Sequence, residues 1–243
     1  MPGLTLFIHL YYPGSWQLLE NKCAALIRRA GRIILTACHD DVLNETRRPL
    51  SSTVGPADPI IRLKVPNKGK DIGGKLAALS YYMHLCEKTD YIALLHDKVS
   101  PQTINADYWS QQLYGPFSEE GLDKAFRLLE QDSRAGIVGS KAFLKNEFLP
   151  MENKFDTTNN DPLQQLIREY HLGGRFFDFI AGTIFLGRSR IFENFFAKNS
   201  ALDGREKLEP GNVLDLQKGT YTHSWERLFC FIAEDQGYTI KGI

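Results

Sequence analysis

The stretch IIRLKVPNKGKDIGGKLAALSYYMHLCEKTDYIALLH, Ile60 to His96, reads as strand, basic turn, helix and second strand. Ile60–Val65 is apolar and rich in β-branched residues. Pro66–Gly74 opens a helix that carries Leu76, Leu79, Met83 and Cys86 on one face. Asp90–His96 is an apolar run of the kind that is buried on both faces of a sheet. Toward the N-terminus, Leu4–Tyr12 is another such run, stopped by Pro13-Gly14-Ser15. Leu19, Cys23, Leu26 and Ala30 then recur at helical spacing, with Ser15 as the N-cap and Gly31 as the stop. Arg32–Cys38 follows as a strand, and Pro49–Pro59 as a Pro- and Ser-rich connection. Strands alternating with helices predict an α/β fold, a mostly parallel central sheet flanked by helices.

Toward the C-terminus the pattern loosens. Gly121–Gln131 is helical, Ala135–Ser140 a short strand, Leu144–Thr158 irregular and Pro162–His171 a short helix. Phe176–Gly187 reads as one strand whose Ala-Gly-Thr centre marks a close backbone approach. Glu193–Asp215 is charged and mixed. Tyr221–Gln236 ends the chain as a helix, with Trp225, Leu228, Phe229 and Ile232 on its buried face. No linker divides the chain, so residues 1–243 are expected to form one domain. Its regular half is 1–98 and its less regular half 99–243.

Composition narrows the function. With 29 Lys+Arg against 29 Asp+Glu, the 243-residue chain is neutral, which excludes a polybasic nucleic-acid binder. A hydrophobic fraction of 43% excludes a largely disordered chain. Cys23, Cys38, Cys86 and Cys230 form no C-x-x-C pair and read as reduced thiols of a cytoplasmic protein. MPGLTLFIHLYY lacks a basic n-region, and no apolar stretch approaches the ~20 residues of a membrane span. Arg28-Arg29 and Arg47-Arg48 are basic pairs that suit at most a weak peripheral membrane contact.

Open α/β sheets bind ligands outside the carboxyl ends of their strands. Tyr11-Tyr12, His39-Asp40-Asp41, Asn67-Lys68-Gly69-Lys70-Asp71 and His96-Asp97-Lys98 occupy those ends. Tyr can stack on a base, acids can accept ribose hydroxyls, and lysines beside a helix N-terminus can meet phosphate. Asp40, Asp41 and Asp71 read equally as helix caps, and Lys68 and Lys70 as a solvated loop. Neither G-x-G-x-x-G nor a P-loop motif is present, which disfavours a dehydrogenase and a P-loop NTPase. His96-Asp97-Lys98 delivers three ionisable groups to one strand end, which suits a cleft or else a surface turn. Glu226 is expected in the first turn of the last helix, as a base or as dipole compensation. Arg227 would pair with Glu226 or with a phosphate.

Four motifs occur in order: VPNKGKDIGG (65–74), YIALLHDK (91–98), FIAGTIFLGR (179–188) and THSWERLF (222–229). Together they resemble the rhamnan synthesis protein F family of bacterial surface-polysaccharide assembly, and the layout is similar to a GT-A glycosyltransferase. The resemblance implies sugar transfer from a nucleotide-diphosphate donor, with rhamnose or another deoxyhexose as the sugar. The acceptor would be a glycan, free or lipid-linked, and the reaction would invert at the anomeric centre. It implies a donor site of Tyr11, Asp40, Asn67, Lys68, Asp71, His96, Asp97 and Lys98. Asp97 stands where that fold carries a metal-binding Asp-x-Asp, so Mg²⁺ or Mn²⁺ would sit there, or Lys98 would replace the metal. Glu226 would be the base, with His223 as second candidate. Gly182, Thr183, Arg188 and Arg227 would face acceptor or diphosphate. The non-enzymatic alternative is a glycan- or nucleotide-sugar-binding subunit of an assembly complex. The resemblance places either protein in the cytoplasm, at most peripheral to the inner face of the membrane.

Overall fold

A computed structural model describes residues 3–47, 60–98, 106–174 and 176–243. The Pro49–Pro59 connection and Arg48 lie outside the described residues. In chain order the first half runs β1 (Leu4–Leu10), α1 (Ser15–Lys22), α2 (Ala24–Arg29), β2 (Arg32–Ala37), α3 (Asp40–Glu45), β3 (Ile60–Lys64), α4 (Lys70–Met83) and β4 (Tyr91–His96). Then come α5 (Ala106–Tyr114), α6 (Glu119–Gln131), β5 (Ala135–Gly139), β6 (Leu144–Asn146), β7 (Phe148–Leu149), β8 (Lys154–Phe155) and α7 (Asn160–Glu169). The chain closes through β9 (Asp178–Ile180), β10 (Phe185–Arg188), α8 (Ser189–Phe196), α9 (Ala201–Glu206), α10 (Tyr221–Asp235) and β11 (Thr239–Gly242).

Seven strands form the central sheet in the order β11-β5-β10-β4-β1-β2-β3. Every neighbouring pair is parallel except those of β10, which runs antiparallel to β4 and β5. The expected mostly parallel, helix-flanked sheet is therefore present, in an arrangement consistent with a GT-A-like fold. Every residue of β1 and β4 is buried, as a strand covered on both faces requires. After β1 the chain builds outward through β2 and β3, then returns to lay β4 on the other side of β1. The carboxyl ends of β1 and β4 thus flank a topological switch point, where such sheets open a crevice.

Several boundaries differ from the sequence reading. The first helix is broken at buried Cys23, and its cap is left-handed Gly14 (φ 80°), so Ser15 opens the helix instead of capping it. Phe176–Gly187 is two strands, because Gly182 (φ 85°) and Thr183 (φ 50°) are both left-handed and turn the chain. β9 pairs with β6 outside the main sheet, while β10 enters it between β4 and β5. The chain does not end on a helix: β11 pairs parallel to β5 at the sheet edge. The stretch from Glu193 contains the end of α8 and all of α9, and α8 buries Ile191, Phe192, Phe195 and Phe196. No helix among the described residues is long and apolar enough to cross a membrane. Arg28 and Arg29 do not form a bare basic patch; they pair with Glu119 and Asp123 of α6, at 3.2 and 2.6 Å.

Candidate functional site

At the switch point lies a cleft of about 240 Å³, lined by His9, Tyr11, Tyr12, Lys70, Asp71, His96, Asp97, Lys98, Asn212 and Leu214. The sheet register explains the first of these. His9 and His96 are paired neighbours on β1 and β4, so the next residues of both strands emerge at one rim. Helix α4 packs on β1, and its first turn brings Lys70 and Asp71 to the same place. This approach requires Gly74: a Cβ there would lie 2.1 Å from His9 Nδ1. His9 is 2% exposed, its Nδ1 is 3.0 Å from Thr36 Oγ1, and its Nε2 has no partner among the described residues. Burial lowers its pKa to about 4, so the ring is neutral.

Asp97, 8% exposed, joins the two strand ends. Its Oδ2 accepts from the backbone N–H groups of Tyr11 and Tyr12, both at 2.8 Å, and lies 2.7 Å from Ser15 Oγ. Burial pushes its carboxyl above the ordinary value against these hydrogen bonds. The group is a brace between the end of β4 and the turn after β1.

Lys75, absent from the sequence-derived site, is the centre of the floor. Its side chain is fully buried, and its Nζ lies 2.8 Å from Asp71 Oδ2 and 3.0 Å from His96 Nδ1. The same ammonium is 3.0 Å from the Thr183 carbonyl and 2.8 Å from its Oγ1. Burial opposes the Asp71 charge, but in the acid range where the carboxyl titrates, protonated His96 and Lys75 outweigh it and hold it well below the carboxylate range. Burial pushes His96 and Lys75 downward, against the attraction of Asp71. His96 is therefore neutral, and with Nδ1 accepting from Lys75 its proton is on Nε2. Asp71 and Lys75 stand four residues apart on α4, a spacing that marks a pair but not its burial.

Lys70 is the lysine of the basic turn that lines the cleft. It is left-handed at φ 52°, and its Nζ is 3.4 Å from His223 Nε2. His223 Nδ1 is 2.6 Å from Thr220 Oγ1, the cap of α10, and 3.8 Å from Asp215 Oδ2. Burial lowers the His223 pKa. Lys68 instead pairs at the surface with Glu206, at 2.7 Å, and Asn67 Nδ2 bonds Asn212 Oδ1 at 3.2 Å. Both residues fasten the turn to the 206–212 segment, where Gly69 N–H also donates to the Glu209 carbonyl. Asp40 is not brought to the cleft; exposed in the first turn of α3, it pairs with Lys64.

The C-terminal candidates divide differently. Glu226 lies in the second turn of α10, not the first, and accepts from Gly182 N–H, with Arg227 Nη1 3.3 Å from its Oε2. It holds the left-handed turn from one side while Lys75 holds Thr183 from the other. Arg227 does not face a phosphate. It makes a two-pronged pair with Glu147 at 2.7 and 2.9 Å, donates to the His223 carbonyl at 2.8 Å, and covers the Phe179 ring. Arg188 is also displaced from the expected site. It pairs in register with Tyr91, at the opposite end of β4 from the cleft, and donates to the carbonyls of Leu129, Ala135 and Asp132.

Three further residues were not legible as site supports. Arg205, 8% exposed, donates to the carbonyls of Gly73 and Pro66 and so fixes the entry to α4. Glu209 caps α10 through the N–H groups of Tyr221 and Thr222. Asp215 accepts from Asn159 at 2.6 Å beside His223. No protein-family model matches the chain, and no curated protein sequence matches it.

Proposed function

We propose that the chain is a glycosyltransferase that moves a sugar from a nucleotide-diphosphate donor to a glycan hydroxyl in bacterial surface-polysaccharide synthesis. The observation that carries this reading is the cleft at the β1–β4 switch point, lined by Lys70 and Lys98 together with Tyr11 and Tyr12. A diphosphate suits the cationic groups and a base the aromatic ones. The four motifs of the family resemblance contribute the β4 end, the α4 turn, the Gly182–Thr183 turn and the start of α10.

The leaving diphosphate would be stabilised by fixed charges and dipoles in the cleft. Of the two base candidates, His223 is the one in contact with a cleft-lining residue, Lys70. Burial lowers the pKa of His223 and so favours the neutral ring, which would take a proton from an acceptor hydroxyl in a single displacement with inversion. Glu226, engaged by Gly182 and Arg227, would position the turn beside it. The reading implies a cytoplasmic site of action, at the inner membrane face for a lipid-linked acceptor.

A thermal-shift panel of nucleotide sugars tests the donor, since a bound ligand raises the unfolding temperature. At least one nucleoside-diphosphate sugar is expected to stabilise the protein, and none doing so overturns the reading. In a transfer assay His223→Gln is expected to abolish turnover while donor binding survives. Loss confined to Glu226→Gln would move the base to Glu226. Donor binding without transfer to any glycan would favour a non-catalytic binding subunit, a reading supported by the internal engagement of both cleft carboxylates.

A further inference from the structure

We infer that the cleft balances the charge of its diphosphate ligand with lysine and not with a divalent cation, an inference that rests on the nucleotide-sugar reading above. The GT-A resemblance implies Mg²⁺ or Mn²⁺ at Asp97, so the donor set there is the test. Such cations need oxygen lone pairs directed at them, commonly from one or two carboxylates together with phosphate and water.

Asp97 Oδ2 already accepts two backbone N–H groups and touches the Ser15 hydroxyl. A cation approaching that oxygen would meet the positive ends of those donors. The other cleft carboxylate, Asp71, has Oδ2 committed to the Lys75 ammonium, with Thr183 Oγ1 at 3.3 Å. His96 turns Nδ1 to the same ammonium. Among the described residues no group of three or more His, Cys, Asp or Glu side chains is arranged to hold a metal ion. At both carboxylates Oδ2 is already satisfied by protein donors, which leaves a poor donor set for a divalent cation at the strand end.

The same cleft is furnished for an anion. Lys70 and Lys98 line it, and Lys70 opens α4, a helix of 14 residues whose first N–H groups lack intrahelical partners. Lys70 holds a left-handed conformation that a non-glycine residue rarely adopts, and such outliers gather at ligand sites. Independently, His9 lines the cleft with a buried ring nitrogen that no group among the described residues satisfies. Unpartnered buried polar atoms are uncommon, and a ligand oxygen or a water held by it would complete this one.

Titration calorimetry with uridine, guanosine and deoxythymidine diphosphates, in EDTA and then in Mg²⁺ or Mn²⁺, tests the inference. At least one diphosphate is expected to bind with a Kd that changes less than about twofold between the two buffers. Lys70→Met and Lys98→Met are each expected to weaken that binding by about tenfold, the loss of one charge-assisted contact. Lys70→Gly guards against a folding artefact, because glycine accepts the left-handed φ while removing the charge. Binding that needs the metal overturns the inference and leaves the nucleotide-sugar reading intact, and its loss in Asp97→Asn would place the metal at Asp97. Metal-free binding that none of the lysine variants weakens also overturns it. No diphosphate binding in either buffer overturns both.

Discussion

Two buried ionic networks grip the Gly182–Thr183 turn from opposite sides, and they are built to different ends. Lys75 of α4 reaches Thr183, Asp71 and His96, and two of those three line the cleft. Arg227 of α10 spends its guanidinium on Glu147, Glu226 and the His223 carbonyl, none of which lines it. An ammonium is a point charge that three differently placed acceptors can share. A guanidinium is a planar fork whose fixed donors are here spent on two carboxylates and a carbonyl. The first network therefore organises a ligand site, and the second fastens the scaffold behind it.

The sharpest way to break this comparison is Lys75→Met. It leaves the half-buried Asp71 carboxylate without its ammonium, and a loss of about 3 kcal/mol in urea unfolding is expected. The acid limb of stability should change with it. In the folded protein Asp71 titrates well below its ordinary 3.8, so its stabilisation is complete above that value and is lost as pH falls below it. That acid loss is expected in the native protein and should be blunted in Lys75→Met; an unaltered acid limb would take the charge pair out of the explanation. Arg227→Lys keeps the charge but loses the two-pronged pair, for about 2 kcal/mol. Diphosphate affinity should survive it, and an affinity loss matching that of Lys70→Met would erase the distinction between the networks.

Asp97→Asn tests the brace. Its hydrogen bonds become neutral ones, and about 1–2 kcal/mol should disappear from the unfolding free energy. The smallest effect has the opposite sign. Lys70→Gly relieves the left-handed backbone and is expected to raise stability by about 1 kcal/mol, while weakening the anion site. Equal or lower stability would show that the conformation at Lys70 carries no strain.

Much of the first half of the fold is legible in the residues. The runs Leu4–Leu10, Arg32–Ala37 and Tyr91–His96 announce buried parallel strands because period and composition are local properties. Tyr11, Lys70, Asp71, His96, Asp97 and Lys98 fall at the cleft because strand ends follow directly from strand runs. The second half is less legible for a physical reason. β9 and β10 are short, and the turn between them is set by left-handed Gly182 and Thr183, held from a distance by Glu226 and Lys75 respectively. β11 is four residues long and acquires its meaning only beside β5. Arg188 belongs to a strand whose antiparallel direction no local pattern states, so its side chain lands at the wrong end of the sheet for a ligand.

The sequence by itself determined the class of sheet, its first four strands and the polar residues that leave their ends. Only the tertiary structure decided what those residues are free to do. Asp97 meets Tyr11, Tyr12 and Ser15 across 86, 85 and 82 positions of chain, so its carboxylate looks available in the sequence and is committed in the fold. Lys75 looks like one more helix lysine until β4 and the Gly182–Thr183 turn close over it. Hydrophobic period is written along the chain, whereas the partners of a buried charge are chosen by packing.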